Sequence, residues 1–184
     1  YEGKILKTLA KLRGCRSALE LGTLTGYSAF WIAEGLGGTN MSSSMTMSTP
    51  TLTTIEMDPE LAKWTKNLFE RWNLENKTQI SVICGDAEVE MSKLAQTFDF
   101  IFIDANKSRY LEYLQLAEAR LEKGGLLVAD NTLLDGELIS NIPSTFSKKQ
   151  IEVVREFNRQ MADPSKYQSV MIPTFSGLSV GIKL

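Results

Sequence analysis

Two stretches carry side chains that a packed core has no reason to keep. In "FDFIFIDANKSRY", residues 98–110, an apolar run ends in Asp104, with Lys107 three residues on. In "KGGLLVADNTLLDGEL", residues 123–138, a second apolar run ends in the adjacent pair Asp130 and Asn131. If the two runs are neighbouring strands, three oxygen donors converge at their ends. An all-oxygen set selects a hard divalent cation, Mg²⁺ foremost, with Mn²⁺ or Ca²⁺ as alternatives, and leaves positions for water or substrate. The plainer reading of either stretch alone is a capped turn, with Asp104 hydrogen-bonded to Lys107.

A third stretch, "ELGTLTGYS" at 20–28, follows a short apolar run and lets the backbone approach a ligand closely. Its Gly22 and Gly26 are spaced G-x-x-x-G, which is not the dinucleotide fingerprint, and no Walker A sequence occurs, which argues against a nucleoside triphosphatase. "IEMD" at 55–58 ends another run in Glu56 and Asp58, and "CGDA" at 84–87 ends one in Gly85, Asp86 and Ala87. Glu56 is placed to accept hydrogen bonds from ribose hydroxyls. Asp58 and Asp86 read as helix caps. Carboxylates with few cations suit an adenosine that carries a positive charge better than a polyphosphate; S-adenosylmethionine is such a ligand.

The elements that must position these groups follow from periodicity. Strands are expected at 16–21, 52–56, 79–84, 98–103 and 126–129, and helices at 3–13, 27–36, 59–72, 87–95, 108–122 and 148–161. The central strands are continuous apolar runs, as in a parallel sheet covered on both faces. Two last strands, 167–172 and 178–183, are joined by too short a link for a crossover and should pair antiparallel. The expected fold is α/β: a doubly wound, Rossmann-like sheet, mostly parallel, with an antiparallel C-terminal edge. In such sheets ligands bind beyond the carboxyl ends of the strands, where all five polar endings lie. Tyr110, Leu111, Tyr113, Leu114 and Leu121 follow helical spacing and read as core. Residues 37–50, rich in Ser, Thr and Met, read as an extended, mobile insertion loop.

Composition narrows the chemistry further. At 184 residues, 43% hydrophobic and 23% charged, the chain reads as one domain, 1–184, of an ordinary globular kind. A net charge of −2 gives no global field to recruit nucleic acid or an anionic membrane. No apolar run approaches the ~20 residues that span a bilayer. Cys15 and Cys84 lie far apart and suit a reduced, cytoplasmic chain. The chain opens on Tyr1, so a natural N-terminal segment is expected to be missing. It contains no histidine, which removes Ser-His-Asp triads and imidazole bases. Acid–base work must fall to carboxylates, lysine or tyrosine.

"LELGTLTGYSA", "TIEMDPE", "GDA", "FDFIFIDANKSRYLEYL" and "KGGLLVADNTLLDGEL" together resemble the cation-dependent O-methyltransferases of the caffeoyl-CoA and catechol type, class I S-adenosylmethionine-dependent enzymes. The resemblance implies Asp104, Asp130 and Asn131 as metal ligands and Lys107 as general base, with Asp104 also near the reacting groups. It implies cofactor contacts at Glu20, Gly22, Thr23, Ser28, Glu56, Ala87 and Asp104, and an acceptor-side position at Asp135. The implied acceptor is a small hydroxylated aromatic with vicinal hydroxyls, and the implied assembly a homodimer. Some relatives resemble tRNA hydroxyuridine methyltransferases, and Lys148, Lys149, Arg155 and Arg159 would be the phosphate track for such a substrate. A binding subunit without catalysis is the non-enzymatic alternative. The chain departs from the pattern at "FSGL", residues 175–178, where relatives often read G-D-G-L, and an upstream helical segment that family members usually carry is expected to be missing.

Overall fold

The side chains of the central strands alternate strictly between two buried faces, and this fixes the architecture. Leu19, Leu21, Ile101, Ile103, Leu127 and Ala129 enter one hydrophobic cluster, with Tyr113, Leu114 and Phe157 packed over them. Their sequence neighbours Ala18, Phe100, Phe102, Leu126 and Val128 enter a second cluster, under Leu6, Ala29, Ile32 and Phe69. A strand apolar on both faces is stable only between two layers of helices. Full burial of a side chain such as Phe100 or Ile103 contributes roughly 1.5–3 kcal/mol.

The computed structural model describes residues 1–37, 48–75, 78–139 and 145–184. In chain order the elements are α1 (Glu2–Arg13), β1 (Ser17–Leu21), α2 (Tyr27–Gly35), β2 (Thr51–Glu56), α3 (Pro59–Glu75), β3 (Gln79–Cys84), α4 (Ala87–Lys93), β4 (Phe98–Ile103), α5 (Tyr110–Arg120), β5 (Leu121–Ala129), α6 (Lys148–Met161), β6 (Tyr167–Ile172) and β7 (Leu178–Lys183). The sheet order is β3-β2-β1-β4-β5-β7-β6. β1 to β5 pair in parallel, and β7 runs antiparallel to both β5 and β6. The α/β sheet with its antiparallel C-terminal edge is therefore as expected. The order reverses between β1 and β4, which opens a crevice at their carboxyl ends.

Several boundaries differ from the periodicity, and those around α5 and β5 bear on the site. The helix expected over 108–122 begins as a 3₁₀ turn, Lys107–Arg109, and α5 ends at Arg120. β5 starts at Leu121 rather than 126, because Phe98 already pairs with Leu121 while Phe100 pairs with Leu126, so a bulge takes up the residues between. Of the loop expected at 37–50, residues 38–47 lie outside the described residues. No helix among the described residues is long and apolar enough to cross a membrane.

Candidate active site

Register delivers the two carboxylates side by side. Ile103 pairs with Ala129, so the next residues, Asp104 and Asp130, leave neighbouring strand tips together. The tips are tied: the Asp130 amide donates to the Ile103 carbonyl at 3.0 Å, and the Asp104 amide to the Leu21 carbonyl at 2.9 Å. The chain leaving β1 then runs close against the end of β4. At Gly22, with φ +97°, a Cβ would sit 2.2 Å from the Asp104 carbonyl oxygen, so only glycine allows this approach.

The loop after β1 is organised by two carboxylates. Glu56 accepts from the Leu24 amide at 2.7 Å and the Asp58 amide at 2.9 Å, and so fixes the loop against the end of β2. Glu20 is fully buried; its Oε2 accepts from the Thr54 hydroxyl at 2.5 Å, and Thr54 lies 2.6 Å from the Thr23 hydroxyl. Glu20 Oε1 has no hydrogen-bond partner within normal distance among the described residues. Burial pushes the Glu20 carboxyl up to about 7, against the opposing influence of the Ser28 and Thr54 hydroxyls.

Two clefts meet over this loop and share Gly22 and Glu56. The larger, about 430 Å³, is lined by Thr23, Leu24, Tyr27, Ser28, Asp104 and Asp130, with Glu2 of α1 at its rim. The smaller, about 170 Å³, lies between Gly85–Ala87 and Arg109, with Met57 and Tyr113. A third opening, of about 490 Å³, lies on the outer face of α1 between Lys4, Lys7, Lys11 and Trp31. It presents no carboxylate and lies away from the strand tips, so it is not the site.

Lys107, in the 3₁₀ turn, donates to Asp104 Oδ1 at 2.7 Å and to the Tyr110 hydroxyl at 2.7 Å. The Tyr110 hydroxyl in turn donates to the Asp130 carbonyl at 2.8 Å. On the far side, the Ser176 hydroxyl lies 2.9 Å from Asp130 Oδ1 and 2.8 Å from Glu2 Oε1. One hydroxyl proton serves only one of these acceptors, so the cleft carries more negative charge than its donors balance. Accordingly the Asp130 carboxyl is pushed up, first by burial and then by Asp104, with Glu2 adding to it.

Among the described residues no three His, Cys, Asp or Glu side chains gather closely enough to hold a metal. A cation here would rest on Asp104, Asp130 and the Asn131 amide oxygen. That set fits a hard dication in its chemistry: two adjacent carboxylates and a neutral oxygen, in a cleft with excess negative charge. Two of the protein's own groups stand in the way. Lys107 occupies Asp104 Oδ1, and Asn131, at φ 56°, accepts from the Asp135 amide at 3.1 Å.

Of the residues singled out in the sequence, the structure brings Gly22, Thr23, Ser28, Glu56, Asp104 and Asp130 to the larger cleft and Ala87 to the smaller. Glu20 lies buried behind the loop. Asp135 is exposed and lines neither cleft. Tyr110 and Tyr113, read as core, are core residues with a second role: the Tyr110 hydroxyl joins the Lys107 network and Tyr113 lines the smaller cleft. Glu2 and Arg109 were missed; Arg109 lies two residues beyond Lys107, whereas nothing local marks Glu2.

A doubly wound sheet in this order, with a glycine loop and an acidic residue closing the first two strands, is the fold of the class I S-adenosylmethionine-dependent methyltransferases. Similarity to known proteins agrees. The O-methyltransferase family profile matches residues 1–184. A catechol O-methyltransferase of Niastella koreensis is 32% identical over 98% of this chain and 79% of its own length. Two solved structures superpose over 99% of the chain. An O-methyltransferase from Bacillus cereus, in complex with SAH, has 27% identity and a TM-score of 0.76, with 80% of its length covered. TomG from Streptomyces achromogenes, in complex with SAM, has 26% identity and a TM-score of 0.77, with 79% covered. The chain belongs to the O-methyltransferase family, and its enzyme class is that of the S-adenosylmethionine-dependent methyltransferases.

Proposed function

We propose that this chain transfers the sulfonium methyl of S-adenosylmethionine to one hydroxyl of a small aromatic carrying vicinal hydroxyls, with a divalent cation held by Asp104, Asp130 and Asn131. The observation that carries this reading is the adjacency of Asp104 and Asp130 at paired strand tips, facing the cleft that the glycine loop forms. The name of the Niastella relative points to the same acceptor class.

In this reading the smaller cleft takes the adenine and Glu56 accepts the ribose hydroxyls. The second lone pairs of its oxygens serve for this while the first hold Leu24 and Asp58. The loop from Gly22 to Ser28 lines the path of the amino-acid half, so the methyl faces Asp104 and Asp130. A dication bound there supplies charge stabilisation to a deprotonating hydroxyl. Lys107 Nζ, freed from Asp104 by the cation and having first released its ammonium proton to solvent, takes the hydroxyl proton as the neutral amine. Leu24 and Tyr27, both exposed at the cleft, offer apolar surface to an aromatic ring. Holding donor and acceptor in line can remove roughly 7–11 kcal/mol of the barrier.

The test is methyl transfer to a simple catechol, with bulk tRNA assayed beside it. Turnover of the catechol in Mg²⁺, lost on chelation and restored by Mg²⁺, supports the proposal. Undiminished transfer in chelator defeats the cation assignment, and transfer to tRNA alone defeats the acceptor.

A further inference from the structure

The smaller cleft has two walls that no direct strand pairing joins. One is the β3–α4 turn, Gly85 to Ala87; the other is the β4–α5 turn, with Ala105, Asn106 and Arg109. β2 and β1 lie between β3 and β4, so the sheet joins the two turns only through two intervening strands. Arg109 joins them directly. Its Nη1 donates to Asp86 Oδ2 at 2.6 Å and its Nη2 to the Glu88 carboxylate. The carboxylate it grips is itself fixed, because Asp86 Oδ1 caps α4 by accepting from the Glu88 and Val89 amides at 3.0 and 3.2 Å. The Arg109 end is fixed by Asn106, whose side chain caps the 3₁₀ turn by accepting from the Ser108 amide at 3.0 Å.

We infer that Arg109 is a positioning residue for the purine: a latch that spans the slot, sets its width and holds the two turns against the faces of the adenine. The inference rests on the reading that this slot takes the adenine. A rigid guanidinium fork suits the task, since its planar donors hold two carboxylates at once where a lysine holds one. The side chain is 32% exposed, so the ion pairs are screened and add little to folding. Their consequence falls on ligand geometry.

Calorimetric titration with S-adenosylhomocysteine and with 5′-methylthioadenosine, which share the purine and differ in the amino-acid half, tests this. Arg109→Met is expected to weaken both by the same factor, about tenfold. The KM for S-adenosylmethionine should rise with kcat at saturation unchanged, and the thermal midpoint should stay in place. Arg109→Lys, which keeps one carboxylate contact, should fall between, and Glu88→Gln should show the smaller loss expected of the outer contact. Wild-type affinity of Arg109→Met for both ligands overturns the latch, as does a loss confined to S-adenosylhomocysteine. If the wild-type chain binds S-adenosylhomocysteine but the adenosine half contributes nothing, the assignment of the slot fails, and the latch with it.

Discussion

Lys107 and Asp104 form an ion pair at 2.7 Å, with the lysine side chain 11% exposed and the carboxylate 41% exposed. The pair places the proposed base and a proposed metal ligand in direct competition: Asp104 Oδ1 serves the ammonium until something displaces it. Lys107→Met separates the two roles. Turnover should fall by about 10²–10⁴, the range for loss of a general base. Mn²⁺, titrated by electron paramagnetic resonance, should bind as tightly as before or more so, because Asp104 has lost its internal counter-ion. Full turnover with bound metal would remove Lys107 from the chemistry.

Asp130 makes a second prediction. Burial and the neighbouring Asp104 and Glu2 raise its carboxyl, so the folded chain holds that proton to higher pH than the unfolded chain does. The stability it contributes is present at low pH and lost as pH rises through the folded value. Asp130→Asn should therefore abolish turnover yet, without cation, melt at or above the wild-type midpoint at pH 8. Mg²⁺ should raise the midpoint of wild type and leave that of the variant in place, since only a ligand bound to the folded state stabilises it. An equal Mg²⁺ response in both proteins would remove Asp130 from the site.

Glu20 predicts a separate pH dependence. Its carboxyl ordinarily titrates near 4.5 and stands near 7 when folded. Between those values the unfolded chain has released the proton and the folded chain retains it, so stability falls as pH rises across that window. At about 1.4 kcal/mol per pH unit of difference, the loss is of the order of 3 kcal/mol. Urea unfolding at pH 5 and pH 7.5 should show it in wild type, and Glu20→Gln should flatten it. An unchanged slope in the variant would place the titrating group elsewhere.

Tyr110 shows where the sequence was legible and where it was not. Its helical spacing with Leu111, Tyr113, Leu114 and Leu121 reads as core; Tyr110, Tyr113, Leu114 and Leu121 are buried, and Leu111 is half-buried. That its hydroxyl would bridge Lys107 to the Asp130 carbonyl depends on β4 and β5 being neighbours in that register, which no local pattern encodes. The same distinction runs through the site. Asp104, Asp130, Gly22 and Glu56 could be read because strand ends in a doubly wound sheet share one edge. Glu2 could not, because it reaches the cleft only through the packing of α1 beside Ser176. The early start of β5 was not legible because Gly124 and Gly125, a pair that ordinarily ends a helix, lie instead in the irregular stretch between Leu121 and Leu126. The network also carries a prediction: Tyr110→Phe leaves the Asp130 carbonyl without that donor, at about 1–3 kcal/mol in stability. Turnover should fall while S-adenosylhomocysteine affinity stays unchanged; retention of full turnover would reduce the hydroxyl to a structural bond.

Gly22 tests the geometry on which the paired strand tips depend. Alanine there faces two penalties, a backbone at φ +97° and a Cβ 2.2 Å from the Asp104 carbonyl oxygen. Gly14, at φ +73° with nothing within 4 Å of an added Cβ, faces only the first. Left-handed backbone costs a non-glycine residue roughly 1–2 kcal/mol, so Gly14→Ala should lose about that much in chemical denaturation and keep its S-adenosylhomocysteine affinity. Gly22→Ala should lose more, and the part that relieves the clash must come from moving β1 off the tip of β4, which opens the cleft and weakens S-adenosylhomocysteine binding. Equal losses in the two variants, with binding intact in both, would mean that the glycine loop does not press on Asp104 at all.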